Sequence, residues 1–260
     1  MERIVTPWDR VKAARAADRP TARAFIENML EGFTPLSGDK RFGEDRAVLA
    51  GPATLNGKPL MVVALERGRD FQEKIRQNFG MAQPEGYRKA LRLMKQAEKV
   101  RMPLLCLVDT SGAYCGIGAE ERGQGEAIAE NLVTLMGLKT PVISVLIGEG
   151  GSGGALALAV ADRVFMLENA VYSVISPEGC ASILWKDPSK TEEAAENLRL
   201  TAEDLKGFDV IESIFRENDT MFRDLQAALE QEFMTLSQLD AETLLNQRYE
   251  KYRKLGAVLT

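Results

Sequence analysis

Three successive stretches share one layout: an unbroken apolar segment, then a loop rich in glycine or turn residues, then a helical pattern. The apolar segments span 60–65, 104–108 and 142–147 and consist largely of leucine and β-branched residues. Segments this short and this uniformly apolar read as strands buried on both faces, a situation met in sheets that carry helices on each side. The first unit continues through a charged loop with Arg67, Arg69 and Lys74 to a helix over 86–99. The second passes through DTSGAYCGIGAEERG to a helix over 124–136. The third passes through GEGGSGG to a short helix over 155–161, with another strand at 163–167. The alternation predicts an α/β fold.

The flanks are helical in pattern. Thr6, Pro7 and Asp9 read as an N-cap, a proline at the first helical position and an acid at the third. A second helix over 21–31 places Phe25, Met29 and Leu30 on one face and stops at Gly32. A hairpin joins 47–53 to 60–65 through Asn56 and Gly57. Near the end, Phe222, Leu225, Leu229, Phe233 and Leu236 recur at helical spacing, and Asp240 starts a last helix that ends at Gly256. No flexible linker interrupts the chain, so 1–260 reads as one domain: a helical part over 1–45, a core over 46–216 and C-terminal helices over 217–260. The helix 86–99 carries Tyr87, Leu91, Met94 and Ala97 on one side and Arg88, Arg92, Lys95 and Lys99 on the other. That basic stripe reads as a solvated face, with docking of an acidic partner or a phosphorylated cofactor as the functional alternative.

Composition removes whole classes of chemistry. The 260 residues carry a formal charge of −5, which gives a nucleic-acid backbone nothing to bind as a main partner. The longest apolar runs are too short to span a bilayer, and MERIVTPWDR has no apolar core of a secretion signal. Cys106, Cys115 and Cys180 show no CxxC spacing, which points to a reducing, cytoplasmic setting and away from a zinc site. There is no histidine. Ser-His-Asp and Cys-His arrangements, His-ligated metals and histidine acid–base catalysis are therefore excluded.

The segment GEGGSGG fits three patterns. As GxSxG it resembles a nucleophile elbow, but Ser152 then lacks a histidine base. As GxGxxG, with Glu168 about twenty residues on, it resembles a dinucleotide fingerprint, although it sits mid-chain before a barely ten-residue helix. In the third reading the glycines bare backbone N–H groups at a helix N-terminus, where they can hold an oxyanion or a phosphate. The loop over 110–114 repeats that design one unit earlier, so a shared anionic site competes with plain close packing of helix on sheet.

The strings GRDFQEKIRQNFGMAQPEGYRKALRLM, DTSGAYCGIGAEERGQGEAIAENL, GEGGSGGALAL and YSVISPEGCASILWK strongly resemble the alpha subunits of bacterial acetyl-CoA carboxylase carboxyltransferases, from about Thr6 to the end. The resemblance implies a crotonase/ClpP-like superhelix of ββα units with flanking N- and C-terminal helices. It implies an α2β2 assembly with a beta subunit that carries the zinc and most coenzyme A contacts, together with biotin carboxyl carrier protein and biotin carboxylase. It implies transfer of a carboxyl group from carboxybiotin to acetyl-CoA, giving malonyl-CoA for fatty acid biosynthesis, with no metal in this chain. Two oxyanion holes suffice for that reaction without a protein base. The resemblance implies that this chain supplies the ureido hole from the backbone of Gly153 and Gly154, with Gly150, Gly151, Gly112 and Ala113 as binding residues. A carboxyltransferase or decarboxylase subunit for another acyl-CoA, or a non-catalytic scaffold, are the alternatives. Ser111 and Cys115 stand where such proteins usually carry proline, which leaves that loop less preorganised. The chain also begins near the TPW motif, without the longer helical segment of many members.

Overall fold

The computed structural model describes residues 5–256. In chain order the elements are α1 (Pro7–Ala14), α2 (Ala22–Met29), β1 (Val48–Leu55), β2 (Lys58–Leu65), α3 (Phe71–Arg76), α4 (Pro84–Lys99), β3 (Leu104–Thr110), α5 (Ile117–Glu121), α6 (Gln124–Gly137), β4 (Val142–Gly151) and α7 (Ser152–Ala159). They continue with β5 (Arg163–Leu167), β6 (Val171–Ser173), α8 (Pro177–Leu184), α9 (Thr191–Asn197), α10 (Ala202–Gly207), β7 (Ser213–Phe215), α11 (Met221–Leu236) and α12 (Ala241–Lys254). The strands form one sheet in the order β1-β2-β3-β4-β5-β7, with β6 pairing the end of β4. Only β1 and β2 are antiparallel. Their turn needs left-handed backbone at both central positions, and Asn56 (φ 48°) and Gly57 (φ 75°) supply it. Every residue of β3 is buried, as the apolar runs predict for a sheet covered on both faces.

Capping residues set the helix starts. Thr6 and Asp9 form a reciprocal capping box on α1, and Asp240 caps α12 through Thr243 N–H at 2.9 Å. The charged loop after β2 contains one more helix than its composition suggests: Asp70 accepts from Glu73 N–H at 2.8 Å and starts α3.

The expected N-terminal helical part is helical only as far as α2. From Glu31 the chain runs extended beside β1, with Glu31 N–H to Thr54 O at 2.9 Å, Thr34 N–H to Pro52 O at 3.0 Å and Leu36 N–H to Ala50 O at 2.8 Å. The cause is an edge strand whose outward carbonyls need donors. The basic stripe of α4 also departs from a solvated face. Arg88 pairs with Asp39 at 2.8 Å, and Arg92 donates to the carbonyls of Ser37 and Gly38. Lys89, buried, binds Glu44 and donates to Asp45 O at 2.9 Å. Lys95 and Lys99 alone remain in solvent. The stripe therefore straps 37–45 to the core. At the other end, buried Arg248 of α12 makes two 2.8 Å bonds to Asp162 and so ties the last helix to the sheet.

Candidate active site at the β4–α7 turn

The glycine stretch is not a loop. β4 runs through Gly151 because Glu149, Gly150 and Gly151 pair with Val171, Tyr172 and Ser173 of β6, while Thr110 of β3 pairs with Gly150 on the other side. The chain then enters α7 at the next residue, Ser152. Close approach explains most of the glycines. A Cβ at 148 would lie 2.3 Å from Asp109 Oδ1, and one at 150 would lie 2.5 Å from Leu146 Cδ2. At 151 it would meet Ser111 O at 2.1 Å, and at 154 the Ala113 nitrogen at 2.3 Å. Gly153 differs from all four. Its φ is not left-handed, and an added Cβ would meet only Ile128 Cγ2, at an ordinary 3.7 Å. Nothing in the fold itself asks for glycine there.

At the start of α7 the amides of Gly153 and Gly154 lie in the first helical turn, where no intrahelical acceptor exists. Among the described residues no side chain caps this end. The helix dipole adds partial positive charge at the same point. The turn therefore has the properties of an anion receptor made of backbone. Tyr87, fully buried, donates from its hydroxyl to Gly154 O at 3.3 Å and steadies the turn from below.

The neighbouring loop after β3 is built differently. Gly112 N–H donates to Thr110 Oγ1 at 3.1 Å, and that hydroxyl donates to Gly112 O at 2.7 Å. Ala113 packs its backbone nitrogen against Gly154. All six residues named from the sequence thus converge on one place, but Gly112 and Ala113 form the floor on which Gly151 and Gly154 rest. Ser111 and Cys115 are exposed beside it.

Sequence reasoning passed over the charged network beneath the turn. Glu149 N–H donates to Asp109 Oδ1 at 3.0 Å, and Arg67 bonds Glu149 with its Nε 3.5 Å from Asp109. Arg15, the C-cap of α1, completes it, at 2.7 Å from Glu149 and 2.6 Å from Glu178. Burial pushes the Asp109 carboxyl up, against the pull of Arg67. Arg67 keeps its charge despite burial because Asp109 and Glu149 face it. The signal was present: an acid or an arginine stands within two residues of the end of each apolar run, at 67, 109 and 149. On the outer side Gly153 borders an apolar cavity of about 260 Å³, lined also by Leu156, Tyr172, Val174, Leu205 and Val210.

The geometry decides between the three patterns. Ser152 does have the strained backbone of an elbow, with φ 53° and an exposed side chain, but this chain holds no histidine to act as its base. Glu168, the acid a dinucleotide site needs, is engaged by Glu217 N–H at 2.7 Å and closes the end of β5 instead. Among the described residues no group of three His, Cys, Asp or Glu side chains could hold a metal ion, and no helix is long and apolar enough to cross a membrane.

A largely parallel sheet with a β6 offshoot, in which β4 runs straight into a helix, is a crotonase-like fold. The fold agrees with that of transcarboxylase 12S at a TM-score of 0.70 and 20% identity, over 87% of this chain and 45% of that one. The chain is 55% identical over 258 residues to the acetyl-coenzyme A carboxylase carboxyl transferase subunit alpha of Ruminiclostridium cellulolyticum, covering 98% of this chain and 99% of the relative. A Natranaerobius thermophilus protein named as subunits beta/alpha is 52% identical over 97% of this chain and 43% of its own length. Residues 2–256 match the family described as acetyl co-enzyme A carboxylase carboxyltransferase-like, and the chain belongs to that family.

Proposed function

We propose that this chain, as the alpha subunit of an acetyl-CoA carboxyltransferase, holds the biotin ureido oxyanion on the amides of Gly153 and Gly154. The observation that carries this reading is the bare Cα of Gly153. The four crowded glycines answer to the protein's own packing, whereas Gly153 leaves room that only an incoming group uses. Carboxybiotin, when docked, supplies the carboxyl group that acetyl-CoA receives to become malonyl-CoA.

The chain's own contribution is positioning and charge stabilisation. Gly150 and Gly151 let the turn settle on the loop 111–113, and the Asp109–Arg67–Glu149 network holds its base. The donors are thereby oriented before any ligand arrives, so little reorganisation accompanies charge development. The cavity beside Gly153 offers a docked ring an apolar wall of Leu156, Val174 and Val210. No proton acceptor from this chain is required.

The second half of the site belongs to a beta subunit, in an α2β2 complex that also carries the zinc and receives the thioester. Biotin carboxyl carrier protein and biotin carboxylase deliver the charged biotin in the cytoplasm. The fused beta/alpha relative supports the beta partner.

The test is Gly153→Ala in the chain co-expressed with its beta partner, assayed for malonyl-CoA formation. Alanine favours the helix, so stability rises by about 0.5–1 kcal/mol. The new methyl group displaces the acceptor by about 1 Å, which costs about 100-fold in turnover. Gly153→Pro removes the donor itself at a first-turn position that tolerates proline, and costs about 100- to 1,000-fold. Wild-type turnover in Gly153→Ala overturns the assignment. A panel of longer acyl-CoAs in the same assay tests the choice of acetyl-CoA.

A further inference from the structure

A second cavity, of about 280 Å³, opens between α2, the start of β1 and the end of α3. Its wall carries Arg23, Arg46, Arg76 and Lys89 against Glu44 and Glu73. Lys89 is committed to Glu44, and Glu73 to Arg69 at 3.2 Å. Arg46 and Arg76 make no ion pair with any described residue, and Arg23 makes none at contact distance although Glu66 and Glu73 feel its charge, so the wall holds two guanidinium groups without a carboxylate partner and a third only loosely balanced. Like charges gathered this way repel, and an anion with several oxygens relieves them. The planar fork of guanidinium matches phosphate oxygens in particular.

The cavity continues into an apolar groove of about 340 Å³, which shares Arg23, Pro35 and Leu49 with it and adds Ile26, Leu30 and Phe33. Glu27 stands on the exposed rim of that groove. A phosphate-binding end joined to an apolar slot with an aromatic ring suits a ligand that is anionic at one end and planar at the other. The position is informative as well. Val48 of β1 pairs with Leu65 of β2, so the cavity lies at the sheet end where the parallel strands finish, the same end as the β4–α7 turn. Across the sheet three strand spacings separate the two, roughly 14 Å, and β4 carries the turn about five residues, roughly 17 Å, further along the strand direction.

We infer that Arg23, Arg46 and Arg76 bind the diphosphate of a nucleotide whose base lies in the groove of Ile26, Phe33, Pro35 and Leu49. The site is independent of the oxyanion assignment, because it needs only this cavity. Its chemistry has two sources: the nucleotide end of a coenzyme A thioester reaching toward the turn, or a free nucleotide acting from a distance.

The experiment is calorimetric titration of ADP, and of inorganic pyrophosphate, into the full chain alone and into its complex with the beta partner. ADP binds, more tightly than pyrophosphate, and binding weakens with added salt. Arg46→Ala with Arg76→Ala weakens ADP about tenfold or more, and because both residues are exposed the melting temperature stays put. Steady-state assay of the complex then separates the sources. ADP competing with acetyl-CoA, with KM raised and kcat unchanged in the double variant, identifies the coenzyme's own end. Unchanged KM with ADP still bound identifies a free nucleotide. No ADP binding to either preparation, or equal binding by wild type and double variant, overturns the inference.

Discussion

The loop after β3 and the turn from β4 into α7 look alike in sequence and behave in opposite ways. The first spends its polar groups on itself: Thr110 Oγ1 takes the Gly112 amide and returns its proton to the Gly112 carbonyl. The second continues as strand to Gly151 and then leaves the first amides of α7 without a cap. Small residues make it cheap to expose amides, but the neighbouring hydroxyl decides whether those amides stay available. Thr110 supplies that hydroxyl to the first loop. Ser152, the corresponding candidate in the second, points into solvent.

The largest effect that bears on this contrast comes from Gly151→Ala or Gly154→Ala. Each places a methyl group against backbone, 2.1 Å from Ser111 O or 2.3 Å from the Ala113 nitrogen, where no rotamer change gives relief. Either variant loses about 3 kcal/mol in denaturant unfolding and loses turnover with it, whereas Gly153→Ala loses turnover alone. If Gly151→Ala melts like wild type, the two loops do not pack as described.

Thr110→Val comes next. It keeps shape but orphans the Gly112 amide and carbonyl beside a fully buried site, at about 1–2 kcal/mol. Amide exchange at 111–114 accelerates while exchange in α7 does not, if the two loops hold their bonds separately. The smallest effect is Ser152→Gly. Relief of the left-handed backbone at Ser152 raises stability by about 1 kcal/mol, and malonyl-CoA formation continues unchanged. Loss of activity there would restore a chemical role for the serine hydroxyl.

Much of this architecture was legible because local signals and tertiary structure agree. Asn56 and Gly57 announce a hairpin, Thr6 and Asp9 a helix start, and the apolar runs a doubly covered sheet. The glycines of the turn were legible as a place where backbone could be exposed. Other features depend on partners far along the chain. Residues 149–151 become strand only because 171–173 lie beside them, and glycine itself gives no strand signal. Arg88 and Arg92 look solvated until Asp39 and the carbonyls of Ser37 and Gly38 close over them. Arg248 finds Asp162 across 86 positions, a pairing that no periodicity of α12 reports. The distinction between Gly112 and Gly153 was equally hidden, since it rests on one hydroxyl and one empty Cβ position.

The extended run over 31–36 has a consequence for assembly. By occupying the carbonyls of Ala50, Pro52 and Thr54, it removes the row of open main-chain groups that an outermost strand otherwise presents. Along this rim another polypeptide cannot pair with β1 itself, and contact there has to be made through the segment 31–36 that covers it.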